Sequence, residues 1–351
     1  MATVAATGLM VVGASPAAAH GLGARTDLPL PIWMFAYGAA AALLISFAGL
    51  AVFWRSTRLE GGVAGRVLLE PGPLSRTLFI VGRIVGLALF ILVVGAALFG
   101  DADTVENIAP VFVYVVFWVG MTLICALAGD LWRVVNPFDT LAALVEGVRG
   151  GGPRAPVPYR WGRWPAVAAL TGFVWLELVY PDRALPRTLA VAILGYTVVV
   201  LAATVRWGRG WLRQGEGFTI FFDLLGHMAP LYADDEGRIR ARPPLSGLVG
   251  LRPDAATQAV VVVALGSTSF DGLSRTRFWL DLTRNMGTTA IALLGTAGLI
   301  WAVSIVTLAF IGAMRITGRL HKRRHPELAS AFIHSLVPIA FAYALALLLG
   351  A

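Results

Sequence analysis

The feature that most constrains this chain is a series of apolar runs, each close to the thickness of a bilayer, separated by arginine-rich loops. A helix needs about 20 mostly apolar residues to cross the hydrocarbon core. Such runs lie at 32–54, 78–99, 111–128, 188–205, 288–313 and 329–351, with a shorter one at 164–180. Of the 351 residues, 14% are charged and 58% hydrophobic, whereas soluble domains carry about 25% charge. A soluble fold of this composition would expose apolar patches that soluble proteins rarely carry. Disorder is excluded on the same ground. The expected fold class is therefore all-α, a polytopic transmembrane helical bundle of about eight spans.

The sixth segment departs from the others. It is apolar only over 257–265, far short of the roughly 17 residues a span needs, and Gly266, Ser267, Thr268, Ser269, Asp271 and Gly272 follow at membrane depth. It reads as a re-entrant piece or as a short, Gly-interrupted span with an irregular backbone. The basic cluster at Arg315, Arg319, Lys322, Arg323 and Arg324 decides for a crossing, because basic residues mark the cytoplasmic side. With eight crossings, 22 of the 28 Lys and Arg residues fall inside, and Arg25, Arg183, Arg187, Arg275, Arg277 and Arg284 fall outside. The formal charge of +8 thus reports orientation. The spread of basic residues over every inner loop argues against a nucleic-acid patch. Arg83, near the inner end of its span, is expected to snorkel.

Residues 1–19 read as a signal peptide. A weak apolar core from Val4 to Val12 precedes Pro16 and an Ala17-Ala18-Ala19 cleavage site, although no basic residue precedes the core. A single integral membrane domain is then expected over 20–351, in a bacterial cytoplasmic membrane, with its mature N-terminus outside. The basic stretch 206–256 holds a segment, 217–231, with apolar residues on one helical face. It is expected to lie in the interface or pack under the bundle. The single Cys125 excludes an intrachain disulfide.

Ionisable groups within a bilayer are costly and mark functional sites or structural pairs. Asp271 is the first catalytic candidate, as a base or cation ligand, with Ser269 beside it. Arg275 and Arg277 suit an anion or phosphoryl oxygens, since guanidinium makes bidentate contacts. The bland reading is an Asp271–Arg275 pair that closes a helix end. His334, ahead of Pro338, is a second catalytic candidate or a packed histidine. Glu177 would line an outer cavity and contact substrate, or pair with Arg183 or Arg187. After cleavage His20 would offer an amine and an imidazole to a divalent metal ion such as copper, with Asp27 as a third ligand; a solvated N-terminus is the simpler reading. His321 and His325 sit among basic residues and read as a membrane-surface anchor. His227 is expected to be packed. At the inner rim Asp130, Arg133 and Asn136 are spaced to share a helix face, with Asp139 after the break at Pro137. The sequence has no G-x-x-x-x-G-K-[ST], H-E-x-x-H or G-x-S-x-G motif, which removes support for ATP-driven transport, zincin proteolysis and α/β-hydrolase chemistry.

Several segments together resemble one family. They are HGLGARTDLP from His20, GDLWRVVNPFDTL from Gly129, GEGFTIFFDLLGHMAPLY from Gly215, RPPLSGL from Arg242, GSTSFDGLSRTRFW from Gly266 and HSLVPIAFAYALA from His334. They are similar to bacterial integral-membrane proteins of the fenitrothion hydrolase type, over essentially the whole chain from His20. Proteins of that type continue past the AYALA segment with a further histidine, where this sequence has Leu347 to Ala351. The resemblance implies a membrane protein linked to hydrolysis of organophosphate triesters. Two functions are therefore expected to compete. One is a membrane hydrolase for an apolar small-molecule phosphotriester, with Asp271 or His334 as base and Arg275 or Arg277 steadying charge. The other is a permease, or a membrane subunit of a metal- or redox-linked assembly, which has no hydrolase activity and for which other membrane subunits would be partners.

Overall fold

A computed structural model describes residues 65–148, 160–234, 236–251, 253–321 and 325–342, with six isolated helical positions between 34 and 48. The expected signal segment, His20, Asp27 and most of the first expected span lie outside the described residues. In chain order the elements are β1 (Arg66–Leu69), α1 (Pro73–Phe99), α2 (Ile108–Ala128), α3 (Trp132–Val135), α4 (Pro137–Val148), α5 (Trp164–Leu178), α6 (Pro186–Trp207) and α7 (Gly217–Gly226). They continue with β2 (Leu231–Ala233), β3 (Ile239–Ala241), α8 (Ala255–Ser274), α9 (Arg277–Thr283), α10 (Thr288–His321) and α11 (Leu328–Ala342).

Five of these, α1, α2, α6, α8 and α10, are long and apolar enough to cross a membrane. Shorter apolar helices, α5, α7 and α11, accompany them. Each long helix is bounded by local chemistry. Pro73 occupies the first turn of α1, where its missing N–H costs nothing. Asn107 starts α2 by accepting from the Ala109 amide, and its own amide donates to the carbonyls of Ala96 and Asp101, which ties the α1–α2 turn together. Pro186 opens α6 after the turn at Pro181-Asp182-Arg183. Asp254 caps α8 by accepting from the amide and hydroxyl of Thr257.

Alternating chain direction gives the bundle two ends. One carries the ends of α1, α5 and α8 and the starts of α2, α6 and α10. The other carries α3, α4, α7 and a small sheet, and is called the sheet end here. Arg163, just ahead of α5, donates to Thr257 in the first turn of α8 at 2.8 Å, so both helices begin at the sheet end. α8 is the central helix. In its apolar window 67% of residues are buried inside the protein, against 11% in α1.

Three expectations are corrected. The sixth segment is not interrupted: α8 runs as one 20-residue helix through Gly266 to Ser274. Its polar residues keep the helix because Ser267, Thr268, Ser269 and Ser274 return their hydroxyls to backbone carbonyls three or four residues back. Gly266 serves close packing, since a Cβ there would sit 2.5 Å from the Cα of Val303 on α10. The fold is not purely helical either: β1, β3 and β2 form an antiparallel sheet in that order. Its β2–β3 turn is held by Asp234, whose carboxylate accepts from Arg238 and Arg240. Gly129, at φ +106°, ends α2 against the backbone of Leu231.

The amphipathic segment, expected in the interface or packed under the bundle, takes the packed alternative as α7, with Gly217, Phe218, Ile220, Phe221, Phe222, Leu224, Leu225 and Gly226 all buried. It folds back into the bundle from the sheet end and packs on α2, α3, α5 and α8. Finally, Asp130, Arg133 and Asn136 do not share a helix face. The chain turns at Gly129, Arg133 lies on α3, and Asn136 caps α4 by accepting from Phe138 and Asp139. Arg83 pairs with Asp139, which also holds Arg209 through two nitrogens.

Candidate functional site

Between α2, α5, α7, α8 and α11, at the end opposite the sheet, lies a cavity of about 440 Å³. Its wall from α2 is unusual. Residues 112–120 wind as a π-helix, a form concentrated at functional sites. Tyr114, Trp118 and Thr122, four apart, line the cavity together. α8 contributes Ala264, Ser267, Thr268, Asp271, Ser274 and Arg275, and α5 contributes Glu177 and Leu178. Arg183 enters from the α5–α6 turn, Phe221 from α7 and Ala340 from α11.

Two carboxyl and two guanidinium groups therefore meet in a bundle that has few of them. They are engaged differently. Asp271 is buried, with 7% of its surface exposed, and Arg275 one turn on donates to its carboxylate from Nε at 3.1 Å. The bland expectation of an Asp271–Arg275 pair is thus met, within the cavity wall. Glu177 lies within electrostatic reach of Asp271, Arg183 and Arg275. Among the described residues none donates a hydrogen bond to its carboxylate, and the residue lines the cavity. Tyr114 donates its hydroxyl to the Arg183 carbonyl at 2.9 Å and so fixes the turn that carries the arginine.

The floor is aromatic. Trp118 stacks on Phe221, with ring centroids 5.0 Å apart, and Phe173 packs edge-on against Trp118. Beneath them Phe117, Phe218, Phe222 and Trp132 form a continuous cluster toward the sheet end. The cavity is therefore polar at its mouth and apolar below.

Of the residues singled out from sequence, the structure brings Asp271, Arg275 and Glu177 together. Of the other candidates, Ser269, Arg277 and His334 do not line the cavity, and His20 and Asp27 lie outside the described residues. Ser269 points out of the bundle and donates to the Leu265 carbonyl. Arg277 is exposed on α9. His334 sits half-buried in a 3₁₀ turn at Ile333–Leu336 and does not line the cavity, where Ala340 represents that helix. Tyr114 was missed, although its spacing from Trp118 and Thr122 was readable.

Glu216 was missed too. It is fully buried and caps α7, accepting from the amides of Phe218 and Thr219 at 3.0 and 2.7 Å, from the hydroxyls of Tyr196 and Thr219, and from the Trp132 indole at 3.3 Å. Arg242 sits at the other end of α7 and donates to the carbonyls of Gly226 and Ala229 at 3.0 and 3.2 Å. Comparison with known proteins brings no match: no family model, curated protein or solved structure aligns with the chain.

Proposed function

We propose that this is an integral membrane hydrolase of apolar phosphotriesters, working in the cavity at the end of the bundle away from the sheet. The observation that carries the reading is that Glu177, whose carboxylate receives no hydrogen bond, lines one cavity with a guanidinium held by Asp271. The resemblance of several segments to fenitrothion hydrolases supports the substrate class. The excess of basic residues in the loops at the sheet end supports an extracytoplasmic cavity.

In this reading the ester's apolar groups rest on Trp118 and Phe221, with the phosphoryl group at the mouth. Glu177 takes a proton from water as its oxygen bonds to phosphorus. The bond from phosphorus to the leaving oxygen breaks, the electron pair departs with that oxygen, and Glu177 returns the proton to it. Arg275 and Arg183 stabilise the charge that builds on the phosphoryl oxygen. Asp271, first expected as the base, instead orients Arg275.

The test is release of a chromogenic phenol from a dialkyl aryl phosphate by protein purified in detergent. Glu177→Gln is expected to lose turnover by roughly 10²–10⁴-fold, the usual worth of a general base. Asp271→Asn is expected to lower turnover less, by loosening Arg275. No release by the wild-type protein, or unchanged release by Glu177→Gln, overturns the reading. One feature favours the permease alternative: α7 is a half-length helix folded into the bundle, as in transporters built on broken helices. Uptake of the intact ester into proteoliposomes would select that alternative.

A further inference from the structure

The segment that joins α8 to α10 has no role in the reaction above, and its helix, α9, buries no residue. Its exposed side chains include three apolar ones, Phe278, Leu280 and Leu282. Arg277, Asp281 and Arg284, spaced four and three apart, fall on one face. Phe278 and Leu282, four apart, fall on another, with 68% and 41% of their surfaces exposed. Trp279 attaches the helix to the bundle. Its ring meets Phe270 edge-on at 5.4 Å and fills the notch at Gly298, where a Cβ would lie 2.7 Å from the indole. Thr276 starts the helix by accepting from the Trp279 amide.

Three observations say what covers the apolar face. α9 lies between the ends of two helices long enough to span a membrane, which fixes it at the level of a bilayer surface. It leads into α10, which exposes the apolar Leu293, Ile300 and Trp301. Its other face carries two arginines and one aspartate, suited to phosphate headgroups.

We propose that α9 is a membrane-interface helix, with Phe278 and Leu282 set into the acyl boundary of the leaflet beside the cavity and Arg277, Asp281 and Arg284 among the headgroups. The occupant of this face is lipid, not a second copy of the chain. Arg275 at the cavity wall stands two residues ahead of α9, so the helix moors the cavity mouth at headgroup level. The proposal is independent of the hydrolase reading.

Cys125 is fully buried, so the parent protein serves as the unlabelled control. Phe278→Cys, Leu282→Cys, Asp281→Cys and Arg284→Cys are labelled with bimane and reconstituted in phosphatidylcholine vesicles, with or without acyl-brominated lipid. Bromolipid is expected to quench the label at 278 and 282 several-fold more than at 281 and 284, and aqueous iodide to show the reverse order. Equal quenching at all positions overturns the proposal. So does energy transfer between labels at 278 on separate molecules that rises with the protein-to-lipid ratio while bromolipid has no effect, because that outcome assigns the face to a second copy.

Discussion

A single carboxyl group at the sheet end carries a pH signature. Asp130 is half-buried, Gly226 packs against it, and its carboxylate accepts from the Arg133 amide at 3.2 Å. Burial, and next the charge of Asp223, push its pKa from 3.8 up to about 7. The folded chain therefore holds this proton after the unfolded chain has released it. The resulting stabilisation is complete below 3.8 and is lost as pH rises to about 7. Thermal unfolding across this window is expected to show the wild-type midpoint falling with pH and that of Asp130→Asn falling less. Parallel curves would remove Asp130 as the source. None of this was readable from spacing, which placed Asp130 on a shared helix face. The burial comes from Gly226, almost a hundred residues later, and only the folded chain brings the two together. Asp271 and Glu177 were readable, because a carboxylate in an apolar run has few reasons to be there. Their different engagement was not.

Among the elements, α7 shows most clearly how a buried helix end is satisfied. Free amides and carbonyls at helix ends are costly away from water. Glu216 serves the amides at one end and Arg242 the carbonyls at the other, and their charges oppose the helix dipole. Glu216→Ala strands the Tyr196 hydroxyl, the Trp132 indole and two amides, and is expected to destabilise the protein by on the order of 3 kcal/mol. Glu216→Gln, which keeps an acceptor oxygen, is expected to lose less. Denaturant titration in mixed micelles measures both, and equal stability of Glu216→Ala and wild type would refute the role. The amphipathic pattern at 217–231 made a helix legible there. It could not show how deeply the helix is buried, because that depends on aromatic residues of α2, α5 and α6 closing round it. Gly266 misled for a related reason. A glycine followed by hydroxyl residues reads as a break, but here it admits Val303 and the hydroxyls turn inward to the backbone.

At the scale of the molecule, the apolar runs predicted the class of fold directly, and five helices of spanning length answer to them among the described residues. The short helices α5 and α7 and the small sheet were harder to read, since their lengths are set by what they pack against. The bundle's two ends differ in chemistry, and the proposed orientation can be measured. Asp182→Cys, in the α5–α6 turn, is expected to react with a membrane-impermeant maleimide on intact cells. Arg213→Cys, at the sheet end, is expected to react only after permeabilisation. The reverse pattern would invert the orientation, and labelling of both from outside would contradict their placement at opposite ends.

The re-entrant α7 also bears on how the chain is built. At 10 residues it is too short to be released sideways into lipid as a spanning helix. It must wait on one side of the membrane until α2, α5 and α6 stand beside it, and Arg242 reaches it only when the following hairpin has formed. α8, made later still, then closes over it. Membrane insertion and folding are therefore separate events for this stretch, and the cavity acquires its floor only at the second.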